Sequence, residues 1–528
     1  MSAGEQQEGT LLRILQSNKS CLLGQRWEFE CISSVEEYQK RVPLTTYEDY
    51  SELIDRMVNE NEEKLTTCGT VVGYLPTSGT TGTSKLIPKL APPPSPAGAA
   101  VDRTGGMIPD FLPRPICLLA NMHPERFTPH GLPIIPGSSS QLPGLLKMEE
   151  FYPSLFTAPP DAYVTEDFAA ATYVQALFTL CNDQTGCIFA GFINTVIGMF
   201  SVMESRWASL VSDMRNCKIS VELGISGEAT ERLQDELRRI CSEERCRQIE
   251  QIFGDSPAPL VPLAQQLWPK LRYVTCLCGG TQEVYVPTLQ RYLGEEIVIF
   301  SSFYACSESI LGVNVRPRDF RSAYQLMLPV LFYEFLPYPE HDGQTLRVEQ
   351  LERGKTYEVV ITTSNGFYRY RLGDVIKTLD VDGFNGVPLI ALEGRSVSNA
   401  SLFGEKVTEA QLLDAVMFTS AEIVDFAVST RLTAEGHGQY TFWLEVKSLE
   451  VPSSSEIDER LRLSNSLYNG TRGSQKILPV EVRQVRPGSF HQFKLEQSGS
   501  LVNFTQRKVP RFLRPDQVGR LERCQLTD

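Results

Sequence analysis

The sequence predicts an α/β protein: a large N-terminal domain, residues 1–395, with mixed or parallel sheets flanked by helices, followed by a small α+β domain, residues 396–528. Three observations lead there. Short apolar runs ending in polar, glycine-bearing loops alternate with helical stretches over most of the chain. Past residue 395 the rhythm changes to a capped helix and alternating strands. The length of 528 residues, with 42% hydrophobic and 22% charged, suits a folded chain of more than one domain.

In chain order, "TLLRILQSN" (10–18) has helical apolar spacing, and "SSVEEYQKRV" (33–42) opens with a serine cap and acidic residues. "TTYEDYSELIDRMVNENEEKL" (45–65) continues the helical pattern. "GTVVGYLP" (69–76) is a short strand running into "TSGTTGTSKLIP" (77–88). Residues 91–115 are too rich in Pro and Gly for a regular helix and read as a loop or linker. Helices are expected at "TEDFAAATYVQALFTLC" (165–181) and "ATERLQDELRRICSEE" (229–244), and strands at "LWPKLRYVTCLCGG" (267–280) and "EEIVIFSSFYACSES" (295–309). Residues 184–203 carry no charge over about the length of a membrane span, but five polar residues interrupt them, so they are expected to form a buried core helix. In open α/β sheets ligands sit beyond the carboxyl ends of strands, so the loops after residues 76, 278 and 300 are expected to line one crevice.

The small domain begins near 394–398. "TEAQLLDAVMF" (408–418) carries a capping box from Thr408 to Gln411, strands follow at "IVDFAVST" and "YTFWLEVKS", and a helix, "SEIDERLRLSNSLY", and a strand, "LPVEVRQV", complete it.

The net charge of −14 argues against nonspecific attraction to nucleic acid or anionic membranes, and leaves a small molecule as the expected partner. The first residues have no secretory pattern and the last no prenylation box, so a cytoplasmic protein is expected. Thirteen cysteines without C-x-x-C spacing and five scattered histidines suggest reduced thiols and no structural zinc. Nothing in the sequence demands more than a monomer.

The stretch 77–88 carries the chemistry. Gly79 and Gly82 let the backbone come close to a ligand, Ser78, Thr80, Thr81, Thr83 and Ser84 add hydroxyl donors, and Lys85 adds a point charge, a set suited to a triphosphate. The G-x-x-x-x-G-K-[ST] spacing fails, because Ser84 replaces the second glycine and Leu86 the magnesium-binding hydroxyl. A polar surface turn remains open on the loop alone. Three further clusters join it. "YACSE" offers an aromatic face at Tyr304 and a carboxylate at Glu308, the means to stack a base and to ligate magnesium. "FYRYRLGDV" presents Arg369, Arg371 and Asp374, whose carboxylate can accept both hydroxyls of a ribose. "QRKVPR" sets Lys508 and Arg511 around a proline. Each alone reads equally as a salt-bridge cluster or a solvated residue.

In that order the set resembles the Gretchen Hagen family of acyl acid amido synthetases, a branch of the adenylate-forming superfamily, and the resemblance runs from about residue 10 to "QRKVPR". A plant-type hormone-conjugating enzyme and an animal relative both remain open. The resemblance implies a two-step ligase using ATP and Mg2+: a small carboxylic acid forms an acyl adenylate, and an amino acid then displaces AMP to leave an amide. It implies that Ser78, Gly79, Thr80, Thr81, Gly82 and Thr83 hold the β and γ phosphates with Lys85 beside them, and that Glu308 ligates magnesium. Tyr304 would lie by the adenine, Asp374 on the ribose with Arg371 beside it, Lys406 would look toward the α-phosphate, and Lys508 would be the lysine brought in by a mobile small domain that rotates about a hinge near Arg395. The chain departs from the family pattern at Cys306, at Ser309 and in the proline-rich stretch after Pro88. An acyl-CoA-type thioester ligase and a noncatalytic nucleotide-binding or scaffold protein are the rival expectations.

Overall fold

A computed structural model describes residues 2–77, 85–91, 115–121, 126–137, 155–163, 167–219, 225, 227–254, 261–317, 322–339, 343–384, 386–395, 399–400, 402–403, 405, 407–419, 421–433, 436–447, 451–496 and 508–526. The helices of the first sixty residues form for local reasons. In the helix Val35–Arg41, Ser34 caps the Glu37 amide, with Glu36 and Glu37 in the first turn and Lys40 and Arg41 in the last, which complements the helix dipole. The helix Ala3–Asn18 docks through Gln7, whose Nε2 donates to the Leu328 and Leu331 carbonyls and whose Oε1 accepts from the Tyr333 amide.

Two strands, β1 (Val71–Pro76) and β2 (Leu86–Leu90), pair as an antiparallel hairpin with Pro76 opposite Leu86. A four-stranded parallel sheet follows, β3 (Ile116–Leu119), β4 (Cys187–Phe192), β5 (Tyr273–Leu277) and β6 (Val298–Phe300), in sequential order. Its strands are buried and apolar, as parallel strands covered on both faces are. The helix Phe168–Cys181 covers it with residues Ala170 to Leu180 all buried, and Trp268, fully buried, donates its indole N–H to the Thr179 carbonyl at 3.0 Å. The uncharged stretch 184–203 is not one core helix. It is β4 followed at once by the helix Ile193–Asn216, because the apolar run at Cys187–Phe192 pairs on both sides in the sheet. Among the described residues, no helix is long and apolar enough to cross a membrane.

The second large sheet is antiparallel. It comprises β7 (Phe303–Ala305), β8 (Ile310–Val313), β9 (Ala323–Leu326), β10 (Phe332–Pro337), β11 (Thr356–Thr362), β12 (Tyr370–Phe384) and β13 (Val387–Arg395), ordered β10-β11-β12-β13-β9-β8-β7. The run 295–309 therefore splits between sheets, with β6 ending in one and β7 beginning in the other across Ser301 and Ser302. Both serines are buried, and the Ser302 hydroxyl bonds Thr275 of β5.

After a short ladder, β14 (Asn399–Ala400) with β15 (Val407–Thr408), the capping box expected at Thr408 opens the helix Glu409–Met417. β16 (Ile423–Leu432), β17 (Gly438–Val446) and β18 (Glu481–Gln484) form a three-stranded sheet, antiparallel then parallel, with the helices Ser454–Ser464 and Ser466–Gly473 in the crossover. Apolar side chains of this unit join the core beneath the parallel sheet, so the C-terminal elements pack on the N-terminal ones.

Candidate active site

The base of the 77–88 loop is closed by two hydrogen bonds. The Thr77 amide donates to the Lys85 carbonyl at 2.9 Å and the Lys85 amide to Thr77 Oγ1 at 3.0 Å. Tyr47 braces it: its hydroxyl accepts from the Leu86 amide at 3.0 Å and lies 3.2 Å from the Leu86 carbonyl, and its ring carries the Lys85 ammonium 5.0 Å from the centroid. Ser78, Gly79, Thr80, Thr81, Gly82 and Thr83 lie outside the described residues, as do Ser84, Lys406 and most of the proline-rich stretch after Pro88.

One residue ties this hairpin to the "YACSE" segment. Asn365 Nδ2 donates to the Pro88 carbonyl at 3.1 Å and to the Glu308 carbonyl at 3.2 Å. The turn that carries Glu308 is closed by the Cys306 amide donating to the Ser309 carbonyl at 2.9 Å. The Glu308 side chain is buried and accepts from the Tyr370 hydroxyl at 3.2 Å.

Asp374 is the second buried carboxylate. Tyr304 Oη donates to its Oδ2 at 2.8 Å and Arg395 Nε to its Oδ1 at 3.0 Å. Arg395 reaches it because the two residues stand opposite each other in the β12–β13 register. Burial and then the Asp374 charge push the Tyr304 phenol well above its ordinary value, so the hydroxyl stays a donor. Both carboxylates act on buried Cys306, whose thiol is raised by burial, then by Glu308 and by Asp374. The same two carboxylates, Asp374 foremost, act on the Arg395 guanidinium. Half-buried Lys508 stands within reach of this field: burial lowers its ammonium pKa, Arg395 lowers it further, and Glu409 and Asp374 act to raise it.

The arginines of "FYRYRLGDV" have other partners. Arg371 makes a two-pronged contact with Glu358, at 2.9 and 2.8 Å, rather than with Asp374. Arg369 is buried against Glu334 and also donates to the Gln39 and Val42 carbonyls at 2.9 Å, fixing the N-terminal helices on the antiparallel sheet. It holds this position with φ +45°, a left-handed backbone rare for a long side chain. Arg511 is buried against Asp425 at 2.6 Å with its guanidinium 4.3 Å from the Phe426 ring centroid.

The structure therefore brings Tyr304, Glu308 and Asp374 together beside the hairpin, leaves Lys508 linked to them through the charges of Arg395 and Asp374, and sets Arg371 and Arg511 on separate ion pairs. Asn365, Tyr370 and the Arg395–Asp374 pair were missed in the sequence, since each depends on strand register or on a contact between residues far apart in the chain. A "YRY" repeat with alternating sides was the available signal for Tyr370.

A hard cation would find the buried Glu308 carboxylate with a neutral phenol donor beside it, a donor set that suits magnesium completed by phosphate oxygens and water. Among the described residues no group of three or more His, Cys, Asp or Glu side chains is placed to hold a metal ion.

A model of the GH3 family N-terminal domain matches residues 1–298, one of the family's central domain residues 324–395, and one of its C-terminal domain residues 405–517. The probable indole-3-acetic acid-amido synthetase GH3.4 of Oryza sativa subsp. japonica is 26% identical in a gapped alignment 570 positions long, covering 98% of this chain and 87% of that protein. The indole-3-acetic acid-amido synthetase GH3.3 of Arabidopsis thaliana is 25% identical over 547, covering 96% and 88%. The solved structure of the GH3.15 acyl acid amido synthetase superposes with a TM-score of 0.83 at 24% identity, covering 99% of this chain and 94% of that one. A 2-hydroxyisobutyryl-CoA ligase in its postadenylation state superposes at 0.54 with 13% identity, over 98% and 90%, a likeness of fold alone.

Proposed function

The chain belongs to the GH3 family, the Gretchen Hagen family of the sequence resemblance, and from that membership we propose that it is an ATP-dependent acyl acid amido synthetase. Its substrates are a small carboxylic acid, activated as an acyl adenylate, and an amino acid that receives the acyl group. The observation that carries the proposal is the convergence of the buried carboxylates Glu308 and Asp374 with Tyr304 and Arg395 beside the hairpin that carries the 77–88 loop.

Each residue then has a task. Ser78 to Thr83 supply hydroxyls and close backbone to the β and γ phosphates, with Lys85 beside them. Glu308, steadied by Tyr370, would hold magnesium, which when bound would supply positive charge against the phosphates. Asp374, oriented by Tyr304 and Arg395, accepts the ribose hydroxyls, and the Tyr304 ring lies along the adenine side. Lys508 and Lys406 approach the α-phosphate, where an incoming carboxylate meets negative charge and a lysine lowers the repulsion. The acid and amine react with each other through the adenylate, so no protein nucleophile is required. Residues 396–528 act as the lid that carries Lys508 toward and away from the phosphate. Arg371, fixed on Glu358, supports β12 beneath Asp374.

Calorimetry with ATP and Mg2+ on the purified protein, with Glu308→Ala beside it, tests the site without a guess about the acid. Magnesium-dependent binding that weakens at least ten-fold in the variant is expected. A folded protein that binds no ATP overturns the reading in favour of a scaffold. Acyl transfer to coenzyme A in preference to amino acids would make it a thioester ligase instead.

A further inference from the structure

Two thiols outside the nucleotide site stand unusually close. Cys181 ends the helix Phe168–Cys181, Cys241 follows the helix Gly227–Ile240, and their sulfurs are 3.0 Å apart. That is shorter than the about 3.5–4.0 Å of ordinary non-bonded contact between carbons, and about 1 Å from the 2.05 Å of a disulfide bond. Both side chains are partly exposed, so a small reagent can reach them. Arg245 lies against the pair. It is buried, its Nε donates to the Leu180 carbonyl and its Nη2 to the Leu267 carbonyl, both at 2.7 Å, and its charge only partly opposes the Cys241 contact and the burial that raise the Cys181 thiol. Two thiols this close, both partly open to solvent, are placed for thiol–disulfide exchange.

We propose that Cys181 and Cys241 form a dithiol modification site that a small disulfide converts to an intramolecular disulfide. The two sulfurs share a hydrogen bond that either thiol can donate; that contact holds Cys241 below its ordinary pKa, and together with burial it holds Cys181 above its own, so Cys241 is the attacking group and Cys181 the resolving one. The Cys241 thiolate attacks one sulfur of the reagent and displaces one small thiolate. The Cys181 thiolate then attacks the Cys241 sulfur of the mixed disulfide and displaces the second. Two electrons pass from the cysteines to the reagent, and the two cysteine protons end on two small thiols. Cys181 precedes the first residue of β4, so the pair lies at the opposite end of the parallel sheet from the strand ends that face the candidate active site. The proposal is therefore independent of the nucleotide chemistry.

The test treats the reduced full-length chain with oxidised glutathione, raised until the exposed Cys31 carries a mixed disulfide, then alkylates the remaining thiols and maps peptides without reduction. The expected product is a Cys181–Cys241 cross-linked peptide lighter by two hydrogens, reversed by dithiothreitol, in excess over any other cross-link. In Cys181→Ser, Cys241 should instead retain glutathione, and at least several-fold more than Cys181 retains in Cys241→Ser. Free Cys181 and Cys241 in wild type alongside modified Cys31 would overturn the proposal. So would pairing of Cys241 with neighbouring Cys217 or Cys246 in preference to Cys181.

Discussion

The Tyr285 hydroxyl donates to the Asp425 carboxylate, joining the residue before the helix Val286–Leu293 to β16 of the C-terminal sheet. Asp425 also takes Arg511 at 2.6 Å and Lys494 at 3.6 Å, and Lys494 lies 3.4 Å from the same tyrosine oxygen. Arg291 pairs with Glu422 at 2.6 Å on the rim of the same contact. A single buried carboxylate thus answers two cations of its own unit and one phenol of the other. Any movement of the C-terminal unit has to break the phenol contact while the two cations travel with Asp425.

Asp425→Asn should destabilise the protein far more than Tyr285→Phe. The first leaves Lys494 and Arg511 buried without the Asp425 charge, a loss of about 3–5 kcal/mol; the second removes the phenol's bond to Asp425 and the longer one it accepts from Lys494, about 1.5–3 kcal/mol, with the ion pairs kept. Thermal midpoints of both variants measure the order. Equal midpoints would mean that Asp425 is not what holds the contact. Tyr285→Phe, which spares the ion pairs, should also raise protease cleavage between the two units relative to cleavage within either.

The same carboxylate predicts an acid limit. Burial works to raise the Asp425 pKa, but Arg511 and Lys494 outweigh it and hold it below the usual aspartate range. The folded state therefore binds fewer protons at this group than the unfolded state, whose aspartates titrate near 3.9. The stabilisation is complete above that value and falls away as pH drops through the lower folded value. The gap in thermal midpoint between wild type and Asp425→Asn should be constant from about pH 7 to pH 5 and narrow below about pH 4. A gap that widens on acidification would reverse the assignment.

Asn365→Ala should weaken ATP binding without unfolding the chain. Its amide bridges the Pro88 and Glu308 carbonyls, and thereby sets the hairpin at its distance from the acidic turn. Each bond contributes about 0.5–1.5 kcal/mol, so the loss corresponds to about ten-fold in affinity. Calorimetry reads that change, and circular dichroism confirms that the fold is kept. Unchanged affinity would separate Asn365 from the site.

What the sequence made legible was local. The serine cap of Val35–Arg41, the Thr408–Gln411 capping box and the strand into the 77–88 loop each follow from residues within one turn or one strand. The carboxylates Glu308 and Asp374 were recognisable because their segments carry dense chemistry in a fixed order. Their neighbours were not. Arg395 meets Asp374 through strand register, Tyr285 meets Asp425 across 140 positions, and Asn365 joins segments whose only common feature is their place in space. The run 295–309 failed for a related reason: its hydropathy is continuous, and only buried Ser301 and Ser302 mark where it changes sheets.

Arg371 and Arg395 supply the sharpest contrast, since sequence proximity favours Arg371 as the partner of Asp374 and the fold gives that place to Arg395. Arg371→Ala removes both prongs from Glu358, which is buried, so its cost is in stability: about 2 kcal/mol, at the lower end because the arginine is about one-third exposed. Arg395→Ala leaves Asp374 with Tyr304 alone and removes a positive charge that acts on Lys508. Without that charge the Lys508 ammonium should titrate higher, and an Asp374 carboxylate free to rotate should bind ATP about ten-fold more weakly, a change of about 1.4 kcal/mol. Thermal midpoint and ATP affinity measured on both variants should therefore separate, with Arg371→Ala moving chiefly the midpoint and Arg395→Ala chiefly the affinity. The reverse pattern would return the ribose-side role to Arg371 and reduce the Arg395–Asp374 contact to a cross-strand ion pair, which for an arginine as exposed as this one contributes less than about 1 kcal/mol.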